Sequence, residues 1–227
     1  MTADDEPTEA EVEAGHAFYT RRSLAVYDLM ILGYFSRLAW RCPAGRIVAH
    51  YDQHVTGNHL DIGVGTGYFL DRCRYPTSQP RIALLDASTA CLDAASRRIA
   101  RYGPTVHEAS VLEPFDLEGA PFDSIGMNYL LHCLPGTIRS KEAAFRNAGA
   151  VAAPGASVFG ATLLHGGVKR NWFARQVMAR NNRVGIFSNR DDDLDGLRAI
   201  LDRQLTEVSI DVVGCVAVFA GKIRQDA

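Results

Sequence analysis

HLDIGVGTGYFL, residues His59 to Leu70, sets the apolar residues Leu60 and Ile62 ahead of glycines at Gly63, Gly65 and Gly67, and an apolar, helix-like run follows. A strand that feeds a glycine turn and then a helix is a nucleotide-cradling arrangement. Glycine lets the backbone approach a ligand closely, and the helix start presents free N–H groups. Two carboxylates frame the turn. Asp61 precedes the first glycine by two positions, and Asp86 ends the next apolar run, RIALLD (Arg81 to Asp86). Asp86 lies about 20 residues beyond the turn, where such folds place a ribose-binding acid. A carboxylate there can accept hydrogen bonds from both hydroxyls of a ribose diol. The glycine spacing is GxGxG, because Tyr68 stands where a dinucleotide fingerprint would have its third glycine. The Walker pattern also fails, since no lysine followed by serine or threonine comes after the glycines.

Outward from this turn, short apolar runs alternate with helical segments. Tyr68 to Cys73 reads as a helix, Arg81 to Asp86 as a buried parallel strand, and Ser88 as the N-cap of a helix ending near Tyr102. Strands are expected at Thr105 to Ala109, Phe122 to Tyr129 and Ser157 to Leu163. A helix is expected over Thr137 to Ala152, closed by Pro154 and Gly155. Trp172 to Asn181 and Leu194 to Gln204 read as helices, the second capped near Asp193. Two β-rich runs, Leu205 to Val213 and Cys215 to Ile223, meet around Gly214, and so short a connection requires an antiparallel pair. Alternation predicts an α/β fold, a Rossmann-like three-layer sandwich with a mostly parallel sheet, and ligands at the carboxyl ends of its strands. Before the first strand, residues 23–40 are apolar nearly all round, and Ile47 to Val55 reads as a short helix. One domain over residues 16–227 is expected, with a helical cap at 16–56, a core at 57–227 and a disordered acidic tail at 1–15.

Composition narrows the function. The 227 residues carry a formal net charge of −2 with scattered basic residues, so no nucleic-acid-binding face is expected. No apolar run approaches the ~20 residues that span a bilayer, and the acidic N-terminus is unlike a signal peptide. The five cysteines are odd in number and form no CxxC, which points to reduced thiols and a cytoplasmic protein. His50 and His54 have helical spacing, but they lack a nearby third ligand, so no metal site is expected.

The chain resembles the class I S-adenosylmethionine-dependent methyltransferases. The resemblance rests on DIGVGTG (Asp61 to Gly67), LLDAS (Leu84 to Ser88), FDSIGMNYLLHCLP (Phe122 to Pro135), APGASVFGATLL (Ala153 to Leu164) and the closing strand pair. It implies a seven-stranded sheet in the order 3-2-1-4-5-7-6 and S-adenosyl-L-methionine as cofactor, with S-adenosyl-L-homocysteine as product. It further implies that Gly63, Gly65 and Asp61 hold the methionine part, with Gly67 completing the turn. By the same resemblance Asp86 binds the ribose, Ala87 packs near the adenine, and Ser110 to Leu112 lie over the adenine edge. Val111 and Leu112 stand where many members place an aspartate, so adenine contacts there fall to backbone N–H groups. Asn128 would line the methyl-donor site.

Methyl transfer from a sulfonium is an in-line displacement with a good leaving group, so catalytic residues can be few. Tyr129 and His132 follow the fourth strand and are the catalytic candidates, His132 as a general base and Tyr129 as a substrate-positioning residue. Tyr27, with Asp28, is the cap's candidate for a cofactor contact, in an aromatic lid that would favour a cationic sulfonium. Arg180 and Arg183 are candidates for an acidic substrate. The expected acceptor is the O or N atom of a small molecule, and the protein a monomer or homodimer. Two other readings stay open: a non-methylating enzyme that uses the same cofactor, such as a cyclase, and a non-catalytic binding protein.

Overall fold

The computed structural model describes residues 33–224. The expected tail, the helical segments before residue 33, and Tyr27 and Asp28 lie outside these residues. The sheet is built from β1 (Asn58–Ile62), β2 (Arg81–Asp86), β3 (Thr105–Glu108), β4 (Phe122–Asn128), β5 (Ala152–Leu163), β6 (Leu205–Val213) and β7 (Val216–Ile223). The helices of five residues or more are α1 (Ala44–His54), α2 (Tyr68–Arg72), α3 (Thr89–Arg98), α4 (Glu142–Ala150), α5 (Trp172–Arg183) and α6 (Leu194–Gln204). The strand order is β3-β2-β1-β4-β5-β7-β6, and β7 runs antiparallel to both its neighbours.

The alternation of side chains along each strand makes two cores. Ile82 and Leu84 of β2 pack on one face with Ile47 and Tyr51 of α1, Leu92 and Ala95 of α3, and Met178 of α5. Ala83 and Leu85 pack on the other with Phe145 of α4 and Leu197 and Leu201 of α6. A strand buried on both faces has to be apolar throughout, which is why RIALLD alternates no polar residues. Each such leucine contributes roughly 1.5–3 kcal/mol by leaving water. Side chains cap three helices: Ser88 accepts from the Cys91 N–H, Asn171 from Ala174 and Asp193 from Gly196.

Some boundaries depart from expectation: α1 begins at Ala44 rather than Ile47, and the largest departure lies between β4 and β5. α4 begins at Glu142 rather than Thr137, and Ala152 already belongs to β5, so Pro154 and Gly155 lie inside the strand. Phe122 pairs with Ala152 but Ser124 pairs with Ser157, an irregularity that holds the extra residues. Gly155 takes a φ of 74° there, a backbone state that a side chain resists. Pro154 and Gly155 thus mark a bulge instead of a helix end.

Candidate functional site

The crossovers leave a cavity at the carboxyl ends of β1, β2 and β4, lined by the glycine turn, Asp61, Asp86, Ala87, Ser110 to Leu112, Asn128 and Tyr129. All three turn glycines have positive φ: 73° at Gly63, 53° at Gly65 and 70° at Gly67. Two of them also make room. A Cβ on Gly63 would lie 2.7 Å from Leu130 Cδ1, and one on Gly67 would lie 2.9 Å from the α3 backbone at Ala95. Gly65 faces open space, so its backbone is bare toward the cavity.

Asp86 ends β2 beside this turn. The backbone N–H of Ser88 donates to its Oδ1 at 2.9 Å, and the Val64 and Gly65 N–H groups also favour its charge. Burial outweighs these donors and raises the carboxyl to about 6. Farther along, the Asn147 side chain of α4 donates to the Val111 carbonyl at 2.9 Å and pins the loop after β3.

Asn128, which also lines the cavity, is 6% exposed. Its amide forms no hydrogen bond of normal geometry among the described residues, though it lies close enough to the Tyr51 phenol to favour its ionised form. A buried amide with donor and acceptor capacity to spare is costly unless a ligand completes it. Asp61 is buried beside it, and the Tyr51 hydroxyl donates to Asp61 Oδ2 at 2.6 Å. Burial and the Asp61 charge hold the Tyr51 phenol far above its usual value, so it stays a donor. Tyr51 stacks on Phe69 at 5.7 Å between ring centroids, and Phe69 stacks on Tyr129 at 6.1 Å. Tyr129 adopts φ 57°, unusual for a bulky residue, with its N–H donating to Ala161 O. Its ring lines the cavity while its hydroxyl is buried near Cys42.

His132 is placed differently from the role expected of it. It sits in the 3-10 turn Leu131–Cys133, 4% exposed, and does not line the cavity. Its Nδ1 lies 3.4 Å from the Leu163 N–H, and its ring meets Phe187 edge-on at 4.7 Å. Burial, reinforced by the Lys141 charge, lowers it to about 3. A neutral imidazole so weakly basic is a poor proton acceptor. Arg180 and Arg183 are exposed on α5, away from the cavity lining. The His50 Nε2–H donates to the Phe219 carbonyl at 2.9 Å. Sequence reasoning missed Tyr51, Phe69 and Asn147. Phe69 was within reach, since it lies two residues past the last turn glycine, Gly67. Tyr51 and Asn147 act on partners distant in sequence and carry no local signal.

The strand order, glycine turn and strand-end acid define an α/β protein that binds an adenosyl-type nucleotide. A family model described as a methyltransferase domain matches residues 60–158. Demethylluteothin O-methyltransferase of Streptomyces thioluteus is 40% identical, over 95% of this chain and 94% of that protein. The physcion biosynthesis cluster O-methyltransferase of Aspergillus chevalieri is 35% identical, over 94% and 96%. The solved DhpI–SAH complex has the same fold, with a TM-score of 0.68 at 15% identity, covering 96% of this chain and 100% of that one. The chain belongs to the class I S-adenosylmethionine-dependent methyltransferases. Its cofactor is S-adenosylmethionine. Among the described residues no helix is long and apolar enough to cross a membrane.

Proposed function

We propose that this enzyme methylates a hydroxyl oxygen on an uncharged, ring-bearing small molecule. The observation that carries the acceptor class is the aromatic stack of Tyr51, Phe69 and Tyr129, which Leu130, Leu134 and Pro135 extend along the cavity wall. Such a wall favours a flat apolar ligand. Two relatives named as O-methyltransferases support oxygen as the acceptor atom.

The residues present fit the cofactor, whose bound form supplies an activated methyl group. Asp86 takes the ribose hydroxyls, and Ala87, Val111 and Leu112 border the adenine. The turn at Gly63, Gly65 and Gly67 admits the ligand to the backbone. Asp61 and the buried Asn128 amide hold the amino-acid end, where a carboxylate meets an ammonium group. Tyr129 presents its ring to the acceptor and holds it in line with the methyl group. Orientation of this kind can lower a barrier by up to about 7–11 kcal/mol. His132 packs behind Tyr129, their rings 6.0 Å apart, so the hydroxyl proton released on methyl transfer leaves to water rather than to this imidazole.

The test is incubation with isotope-labelled S-adenosylmethionine and matched phenols and aromatic amines, with mass spectrometry of the products. Labelled methyl on phenolic oxygen is the expected result. Transfer to amines alone would overturn the oxygen assignment.

A further inference from the structure

Asp61 is held from below as well as facing the cavity. His59 precedes it by two positions on β1, so both side chains share one face of the sheet. His59 is fully buried, and its Nε2 lies 3.3 Å from Asp61 Oδ2, the oxygen that Tyr51 also donates to. A carboxylate only accepts, so Nε2 carries a hydrogen in either charge state of the ring. The far edge of the ring is fixed by β4: Nδ1 lies 2.9 Å from Ser124 Oγ and 3.1 Å from Ser124 O. Ser124 Oγ in turn accepts from the Thr56 N–H at 3.0 Å. Phe159 stacks on the imidazole at 5.8 Å. β4 also leaves space for the pair. A Cβ at Gly126 would lie 2.8 Å from Asp61 Oδ2 and 3.3 Å from His59 Cε1.

A buried polar chain of this kind adds little net stability over apolar residues of the same volume. It does fix the direction of a carboxylate. We propose that His59 is a positioning residue for the cofactor's amino-acid end. With Tyr51 it occupies Oδ2 and leaves Oδ1 of Asp61 to the ammonium group. The carboxylate is thereby oriented before the ligand arrives, which lowers the ordering cost of binding. This rests on the reading that Asp61 and Asn128 hold that end of the cofactor.

The experiment compares two ligands by calorimetry on the full chain: S-adenosylhomocysteine, and 5′-methylthioadenosine, which lacks the amino-acid end. His59→Phe keeps a ring against Phe159 and removes the donor. It should weaken S-adenosylhomocysteine about tenfold or more, as loss of a charge-assisted hydrogen bond would, and leave methylthioadenosine unchanged. His59→Gln retains an N–H donor and should recover most of the loss. Tyr51→Phe should show the same ligand-selective loss, and it carries the test if His59→Phe does not fold. Equal weakening of both ligands, or no weakening of either, would overturn the proposal while the site reading stands. Failure of the unmodified protein to bind S-adenosylhomocysteine would overturn the site reading, and the proposal with it.

Discussion

Asp86 is asked to stay ionised in a place that discourages it. Backbone donors at Ser88, Gly65 and Val64 favour the carboxylate, but burial dominates and its carboxyl rises to about 6. In its proposed role Asp86 accepts from the ribose diol, which calls for the ionised form. Cofactor affinity should therefore be full well above pH 6 and decline as pH falls through it, by at most about tenfold per pH unit. Calorimetry with S-adenosylhomocysteine between pH 5 and 8 measures this, on the order of the range where one such group titrates. Asp86→Ala should cost roughly 1–3 kcal/mol of binding and abolish that acid limb. An unchanged dissociation constant would remove Asp86 from the ribose site. His132→Gln should leave turnover and its pH profile nearly unaltered, because His132 is buried outside the cavity lining. A fall of about 10²-fold or more would restore it as a general base.

At the scale of elements, the segment after α5 is tied down from beneath α4. Lys141, at the N-cap of α4, donates from Nζ to both Asp192 carboxylate oxygens, at 2.9 and 2.7 Å, and to Ser188 O at 2.6 Å. Both partners are fully buried. The Asp192 carbonyl accepts from the His165 and Gly166 N–H groups, and Asn189 donates to Leu163 O, so the end of β5 joins the same cluster. Burial lowers Lys141 and raises Asp192 to about 6, each opposed by the other's charge. Lys141→Met strands a buried carboxylate and should destabilise the fold by about 3–5 kcal/mol. Urea denaturation gives the loss directly. Lys141→Met combined with Asp192→Leu should recover much of it, and a double variant as unstable as the single would show that the pair's charges are not the cause. The caps at Ser88 and Asp193 were legible in sequence because a short polar side chain bonds an N–H only three residues ahead. The early start of β5 was not, since Pro154 and Gly155 punctuate a bulge and a helix end with the same residues.

Across the molecule, what could be read from the chain is what repeats locally. RIALLD, the glycine turn and the closing strand pair each carry their own pattern, and the resemblance they support supplied the seven-strand order. The cavity-lining residues Asp61, Asp86 and Asn128 could be picked out too, because they stand at or next to strand ends. The tier behind them stayed hidden. Asn147 reaches Val111 across 36 positions and His59 reaches Ser124 across 65, and no periodicity joins residues so far apart. The same geography sorts the five thiols. Cys42, Cys73, Cys91 and Cys215 are buried, and burial raises the last three to about 12, while Cys133 is half-buried on the cavity wall. Thiolates rather than thiols are alkylated, so the native enzyme should take up a maleimide at Cys133 far faster than at its other cysteines. Bound S-adenosylhomocysteine should slow that uptake, and intact-mass spectrometry would follow it. If so, the enzyme carries its own occupancy gauge, one that reports cofactor loading in a cell extract without any knowledge of the molecule it methylates.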